Sequence, residues 1–105
     1  MSPNPGEIHL VDLGMVGKVR PAVVVSRKDP AAPRAITLCV PITTNNRDSR
    51  YEVALGKLKF LQKESWANVQ GLTSLENVKL LRHLGHVTVN QLAEIKNALR
   101  FALEL

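Results

Sequence analysis

A chain of 105 residues, 45% hydrophobic, 22% charged and 4% aromatic, has room for one compact domain. It excludes large α/β enzymes, barrels with an outer ring of helices and multidomain assemblies, and the hydrophobic share excludes wholesale disorder. The formal charge is +5 and is concentrated in residues 17–63, where ten basic side chains face three acidic ones for a net +7; that suits a polyanionic partner, the alternative being a solvated basic surface.

Met1 to Pro5 read as a loose lead-in to a single domain spanning 1–105. Gly6 to Leu13 reads as a strand, followed by a turn between Gly14 and Gly17. The run Arg20-Pro21-Ala22-Val23-Val24-Val25-Ser26 is the strongest β signal, a β-branched stretch entered through a proline. Pro30 and Pro33 punctuate a loop over 27–34, and Ala35 to Ile42 is a second apolar strand. Residues 43–50, Thr-Thr-Asn-Asn-Arg-Asp-Ser-Arg, hold no apolar side chain and predict an exposed loop. Tyr51 to Leu55 and Ser65 to Thr73 predict two further strands, and Ser74 predicts a capped short helix through Leu81. Gly85 to Val87 predicts a last short strand. Thr88 with Gln91 three residues on predicts a capping box, and Leu92, Ile95, Leu99 and Leu103 then recur at helical spacing. Strands followed by one terminal helix predict a mainly β fold: a small, curved, largely antiparallel sheet packed by that helix.

The single cysteine, Cys39, excludes an internal disulfide and reads as a small buried hydrophobe in a reducing cytosol. The N-terminal residues lack a basic start and an apolar core, so no secretory signal is expected, and no apolar run has the length of a membrane span. These points predict a cytoplasmic protein. His83 and His86 are spaced like a metal pair, but no cysteine or carboxylate stands near them in sequence, so no metal site is expected. Phosphate-binding and dinucleotide-binding glycine motifs and the G-x-S-x-G nucleophile motif are all absent, and no cofactor is expected.

Two features carry chemistry. Pro21 keeps Arg20 out of the α region and so extends it, and Thr43-Thr44 lie where an apolar strand opens into a polar loop. A guanidinium fork and a hydroxyl together suit a phosphate; the bland alternatives are an ordinary Arg-Pro step and simple β-propensity.

The segments Gly6-Glu7-Ile8-His9-Leu10-Val11-Asp12-Leu13, Lys18-Val19-Arg20-Pro21-Ala22-Val23-Val24-Val25-Ser26 and Val40-Pro41-Ile42-Thr43-Thr44 resemble the three opening motifs of the MazF/PemK-like toxin family. Leu84-Gly85-His86-Val87 and the amphipathic helix resemble its ending, so the likeness spans roughly 6–103. It implies an SH3-like barrel, usually a homodimer, and a metal-independent, sequence-selective endoribonuclease of a type II toxin–antitoxin system, blocked by a cognate antitoxin. It implies catalytic roles for Arg20, Thr43 and the neighbouring Thr44, and an RNA-binding role for Gln70. On the same reading Lys18, Arg47 and Arg50 would contact the RNA backbone, Asn45 and Asn46 would read bases or turn the chain, and Trp66 and Tyr51 would stack on bases or pack in the core or a dimer interface. No histidine or carboxylate is an obvious general base; proton transfer through Arg20 in a dry pocket stays open, and His9 is the runner-up. The chain departs from the family pattern in a short loop at Gly14–Val19 without its acidic residue, in Val69 and Leu72 where aspartate and arginine are usual, and in His86 where arginine is common. The rival functions are a gyrase-poisoning toxin of the same fold and an RNA-binding module that has lost cleavage.

Overall fold

The computed structural model describes residues 2–14 and 18–105. Among the described residues seven strands run in chain order: β1 Glu7–Asp12, β2 Val19–Val24, β3 Ile36–Thr43, β4 Glu52–Lys57, β5 Glu64–Asn68, β6 Thr73–Glu76 and β7 Leu80–His86; helix α1, Val89–Leu103, follows. Every pairing is antiparallel. The sheet order is β4-β5-β3-β2-β1-β7, with β6 beside β3. The expected mainly β architecture with a terminal helix is the one observed.

β3 is the seam of the fold. Its first half, Ile36 to Cys39, pairs with β6, and its end, Ile42 and Thr43, pairs with β5. The sheet curls around this bend and is buried on both faces at its centre. Ile8, Val23, Val40 and Ile42 point into the larger core with Val53, Leu55, Ala67 and Ile95. Their neighbours Ala22, Val24 and Cys39 point the other way, into a second cluster with Val11 and Leu80. A continuous apolar run in the sequence is the mark of such a two-sided strand. Cys39 is fully buried, and desolvation pushes its thiol up to about 11.

The helix begins as its sequence dictates. Thr88 Oγ1 accepts from Gln91 N at 3.0 Å, and Gln91 Oε1 accepts from Thr88 N at 2.9 Å. Gln91 Nε2 also donates to the Leu55 carbonyl at 3.2 Å, tying the helix start to β4. Ile95 and Ala98 are buried against the larger core, with Leu92, Leu99 and Ala102 beside them. Burying Ile95 contributes about 2 kcal/mol.

Three expectations are corrected. The helix expected at 74–81 does not form. Thr73 to Glu76 pairs with β3 instead, Asn77–Lys79 makes one 3-10 turn, and Leu80 starts β7. Thr37 Oγ1 donates to Asn77 Oδ1 at 2.6 Å, and Leu75 and Leu80 pack on the second cluster; tertiary pairing outweighs the local cap signal. The strand expected over Ser65 to Thr73 is broken by a 3-10 turn at Val69–Gly71, where Asn68 Oδ1 accepts from Gln70 N. The last strand runs Leu80–His86, longer than the expected 85–87. Gly71 in that broken stretch is a close-approach position, since a Cβ there would lie 2.5 Å from Pro41 Cγ. The turn expected between Gly14 and Gly17 lies partly outside the described residues; Leu13 N donates to the Lys18 carbonyl across it at 3.0 Å.

Candidate active site

Register builds the site. β2 and β3 pair Val24 with Cys39, Val23 with Val40 and Ala22 with Pro41. Continued by two residues, that register sets Arg20 opposite Thr43. Both side chains line one cavity of about 330 Å³ with Val19, Pro21, Ile42, Thr44, Asn45 and Leu61. No histidine or carboxylate is among its described lining residues.

Arg20 is exposed, and among the described residues its Nη1 donates only to the Val19 carbonyl, at 3.4 Å. It makes no ion pair among the described residues, so its guanidinium fork is open to an anion. Thr43 is half-buried at the end of β3. Its Oγ1 accepts from Asn45 N at 3.1 Å, which turns the chain into the polar loop and leaves the hydroxyl proton free to donate. Exposed Thr44 and Asn45 complete that rim.

The other expected binding residues fall around the cavity or away from it. Lys18 is exposed one residue before β2. Arg47 is exposed on the 44–50 loop, which is exposed throughout; its backbone N donates to Glu52 Oε1. Asn46 and Asp48 bond each other on the same loop. Arg50 lies over the Phe101 ring, 3.7 Å from its centroid, on a different cavity beside the helix. Tyr51 tilts against the same ring at 5.2 Å and packs on the larger core. Trp66 is half-buried and pairs with Thr43 across β3 and β5. Gln70 is exposed on the 3-10 turn and does not line the cavity. Val69 is buried and Leu72 packs on the same core, so both positions that depart from the family pattern are taken up by packing.

His9 is buried and lies outside the cavity. Its Nε2 lies 2.8 Å from Glu7 Oε1, and its ring stacks on His83 with centroids 4.9 Å apart. Burial raises the Glu7 carboxyl, but hydrogen bonds from His9 and Asn4 and the neighbouring His83 outweigh it and hold the group below the usual range. The residue that sequence reasoning missed is Leu61, the apolar wall of the cavity, which sits between Lys57 and Lys63 on the β4–β5 connection. An apolar pair, Phe60-Leu61, inside a basic turn is the signal that could have found it.

Among the described residues, a curved antiparallel sheet packed by one C-terminal helix is the fold shared with MazF-type toxins. Residues 4–103 match the family described as PemK-like, MazF-like toxin of type II toxin-antitoxin system, and the chain belongs to that family. It is 32% identical over 112 residues to Endoribonuclease MazF9 of Mycobacterium tuberculosis (strain ATCC 25618 / H37Rv), covering 95% of each chain. Its fold superposes on an endoribonuclease from a mycobacterial species with a TM-score of 0.83 at 28% identity, covering 100% of this chain and 94% of that one. An endoribonuclease in complex with its cognate antitoxin, also mycobacterial, matches with a TM-score of 0.83 at 29% identity, covering 98% and 96% of the two chains.

Proposed function

We propose that this chain, an endoribonuclease toxin of the PemK/MazF family, cuts single-stranded RNA in the cavity between Arg20 and Thr43, using the substrate's own 2′-hydroxyl as nucleophile. The 2′-oxygen bonds to the adjacent phosphorus as its proton passes to solvent, and the phosphorus–5′-oxygen bond breaks with that oxygen taking a proton from solvent, giving a 2′,3′-cyclic phosphate and a 5′-hydroxyl. DNA lacks the nucleophile and is bound without being cut. Charge builds on the non-bridging phosphate oxygens in the transition state. Arg20 meets that charge with its guanidinium fork, and the Thr43 hydroxyl donates to it. A guanidinium is a fixed charge in proteins, so the role of Arg20 is electrostatic. Thr44 and Asn45 form the rim against which the sugar and base rest.

The observation that carries the reading is Arg20, without an ion pair among the described residues, lining one cavity with the Thr43 hydroxyl. The basic surface supports it: Lys18 and Arg47 stand exposed near the cavity's strands and loop. The reading includes a cytoplasmic site of action, where mRNA is available, and an antitoxin whose acidic segment answers the central +7. It also includes a homodimer, for which exposed Ile36, Leu38 and Leu81 offer apolar surface.

The test is incubation of the purified protein with a long single-stranded RNA in excess EDTA, beside an Arg20→Ala variant, with the new ends mapped. Discrete cuts bearing cyclic-phosphate ends, lost in the variant, support the reading. Binding without cuts points to an RNA-binding module, and neither binding nor cuts points to a protein target such as gyrase.

A further inference from the structure

We infer that Glu7, His9 and His83 form a binding site for a divalent transition-metal ion, with zinc as the fitting case, on the β1–β7 edge of the sheet and apart from the Arg20 cavity. The carboxylate that the sequence does not place beside His83 comes from β1. Antiparallel pairing sets Glu7 opposite His86 and His9 opposite His83, and a bulge between Ile8 and His9 brings the three-residue histidine spacing into step with the two-residue spacing of Glu7 and His9. Glu7, His83 and His86 line a cavity of about 310 Å³ that shares no residue with the one holding Arg20.

The donor set is a carboxylate and two imidazoles, which suits zinc. One donor atom from each of the three residues lies within 4.8 Å of the others. Glu7 Oε1 is 2.8 Å from His9 Nε2 and 4.0 Å from His83 Nε2. Donors around a tetrahedral zinc stand about 3.3 Å apart when each bond is near 2.05 Å, so the donors sit on both sides of the required spacing. Glu7 is already oriented: its other oxygen, Oε2, accepts from both the backbone and side-chain nitrogens of Asn4 at 3.1 Å. Such outer contacts fix metal-binding carboxylates. β1 and β7 supply a rigid base for all three ligands.

Loading changes two proton positions. His83 gives up its contact of 2.9 Å with the Gly85 carbonyl, and its ring is free to move because its side chain is 54% exposed. His9 loses its Nε2 proton to the metal bond and carries a proton on Nδ1, which has no hydrogen-bond partner among the described residues. That unpaired N–H weakens binding relative to closed structural zinc sites, and water takes the fourth position.

The experiment uses the whole chain, stripped of metal by a chelator that is then removed. Zinc is titrated by calorimetry, and melting is followed with and without zinc, for the wild type, His83→Ala and Glu7→Gln. Both substituted side chains are at least partly exposed, and circular dichroism confirms that each variant folds. The expected result is one zinc per wild-type chain, a melting temperature raised by zinc, and binding weakened at least about tenfold in each variant. Absence of binding by the wild type, or equal binding by the wild type and both variants, overturns the proposal. None of these readouts depends on RNA cleavage.

Discussion

Arg20 and Thr43 each lie two residues past Ala22–Pro41, the end pair of the β2–β3 ladder, and that register carries both to one cavity. No side-chain bond between them is needed to hold the geometry. The substrate phosphate is what bridges them in the proposed reaction, so each residue can be tested separately.

Arg20→Ala should lower the cleavage rate under single-turnover conditions by about 10²–10³, the usual effect of removing one donor to a transition-state oxyanion. Arg20→Lys should recover only part of it, because an ammonium keeps the charge but not the planar fork. The fold should be unaffected, as the Arg20 side chain is exposed and, among the described residues, hydrogen-bonds only its neighbour's carbonyl. Quenched cleavage of a defined RNA with excess enzyme measures all three.

Thr43→Val keeps the β-branched shape and removes both the hydroxyl proton and the acceptor for Asn45 N. Cleavage should fall by about tenfold or more, a loss of roughly 1.4 kcal/mol in the transition state. Thr43→Ser should restore most of the rate. Equal rates for the valine and serine variants would remove the hydroxyl from the mechanism.

Binding of RNA should weaken steeply with salt. Lys18→Ala should reduce the slope of log K against log salt by about 0.7, one single-strand phosphate contact, with no change in which sites are cut. Fluorescence anisotropy with an uncleavable 2′-deoxy analogue, at several salt concentrations, reads the slope directly. An unchanged slope would make Lys18 an ordinary surface cation.

Leu61→Ala opens the apolar wall of the cavity without touching the charge. KM should rise severalfold with kcat nearly constant, the pattern of lost uniform binding. A fall in kcat at constant KM would instead give Leu61 a part in the transition state itself.

The helix was legible because its start is written locally, in Thr88 and Gln91, and its buried face in Ile95 and Ala98. The central strands were legible because Ala22 to Val24 and Cys39 to Val40 are apolar on both faces. Residues 74–81 misled because the cap signal of Ser74 is local, whereas the pairing of Thr37 with Leu75 and the bond to Asn77 span some forty residues of chain. That Arg20, Thr43 and Thr44 share one cavity was legible through motif and proline geometry. Leu61 was not, since only the return of the β4–β5 connection to the strand ends brings it there. Arg50 shows the opposite limit: its charge is plain in the sequence, but its stacking on Phe101 is set by where the helix ends.

Because the couple is aligned by strand pairing, the loop from Arg27 to Arg34 sits outside the measuring apparatus. A slip of one residue in β3 would bring Thr44 opposite Arg20 and keep a hydroxyl in place, but it would turn Val40 and Ile42 out of the core, so the interior guards the alignment. The joining loop carries no such duty. A short glycine-serine insert between Ala31 and Ala32, both exposed, should leave the cutting rate unchanged, as the same RNA assay would read. Lineages descending from such a chain are therefore free to lengthen or shorten this turn, and to hang new recognition elements on it, while the spacing of the two reacting partners stays inherited.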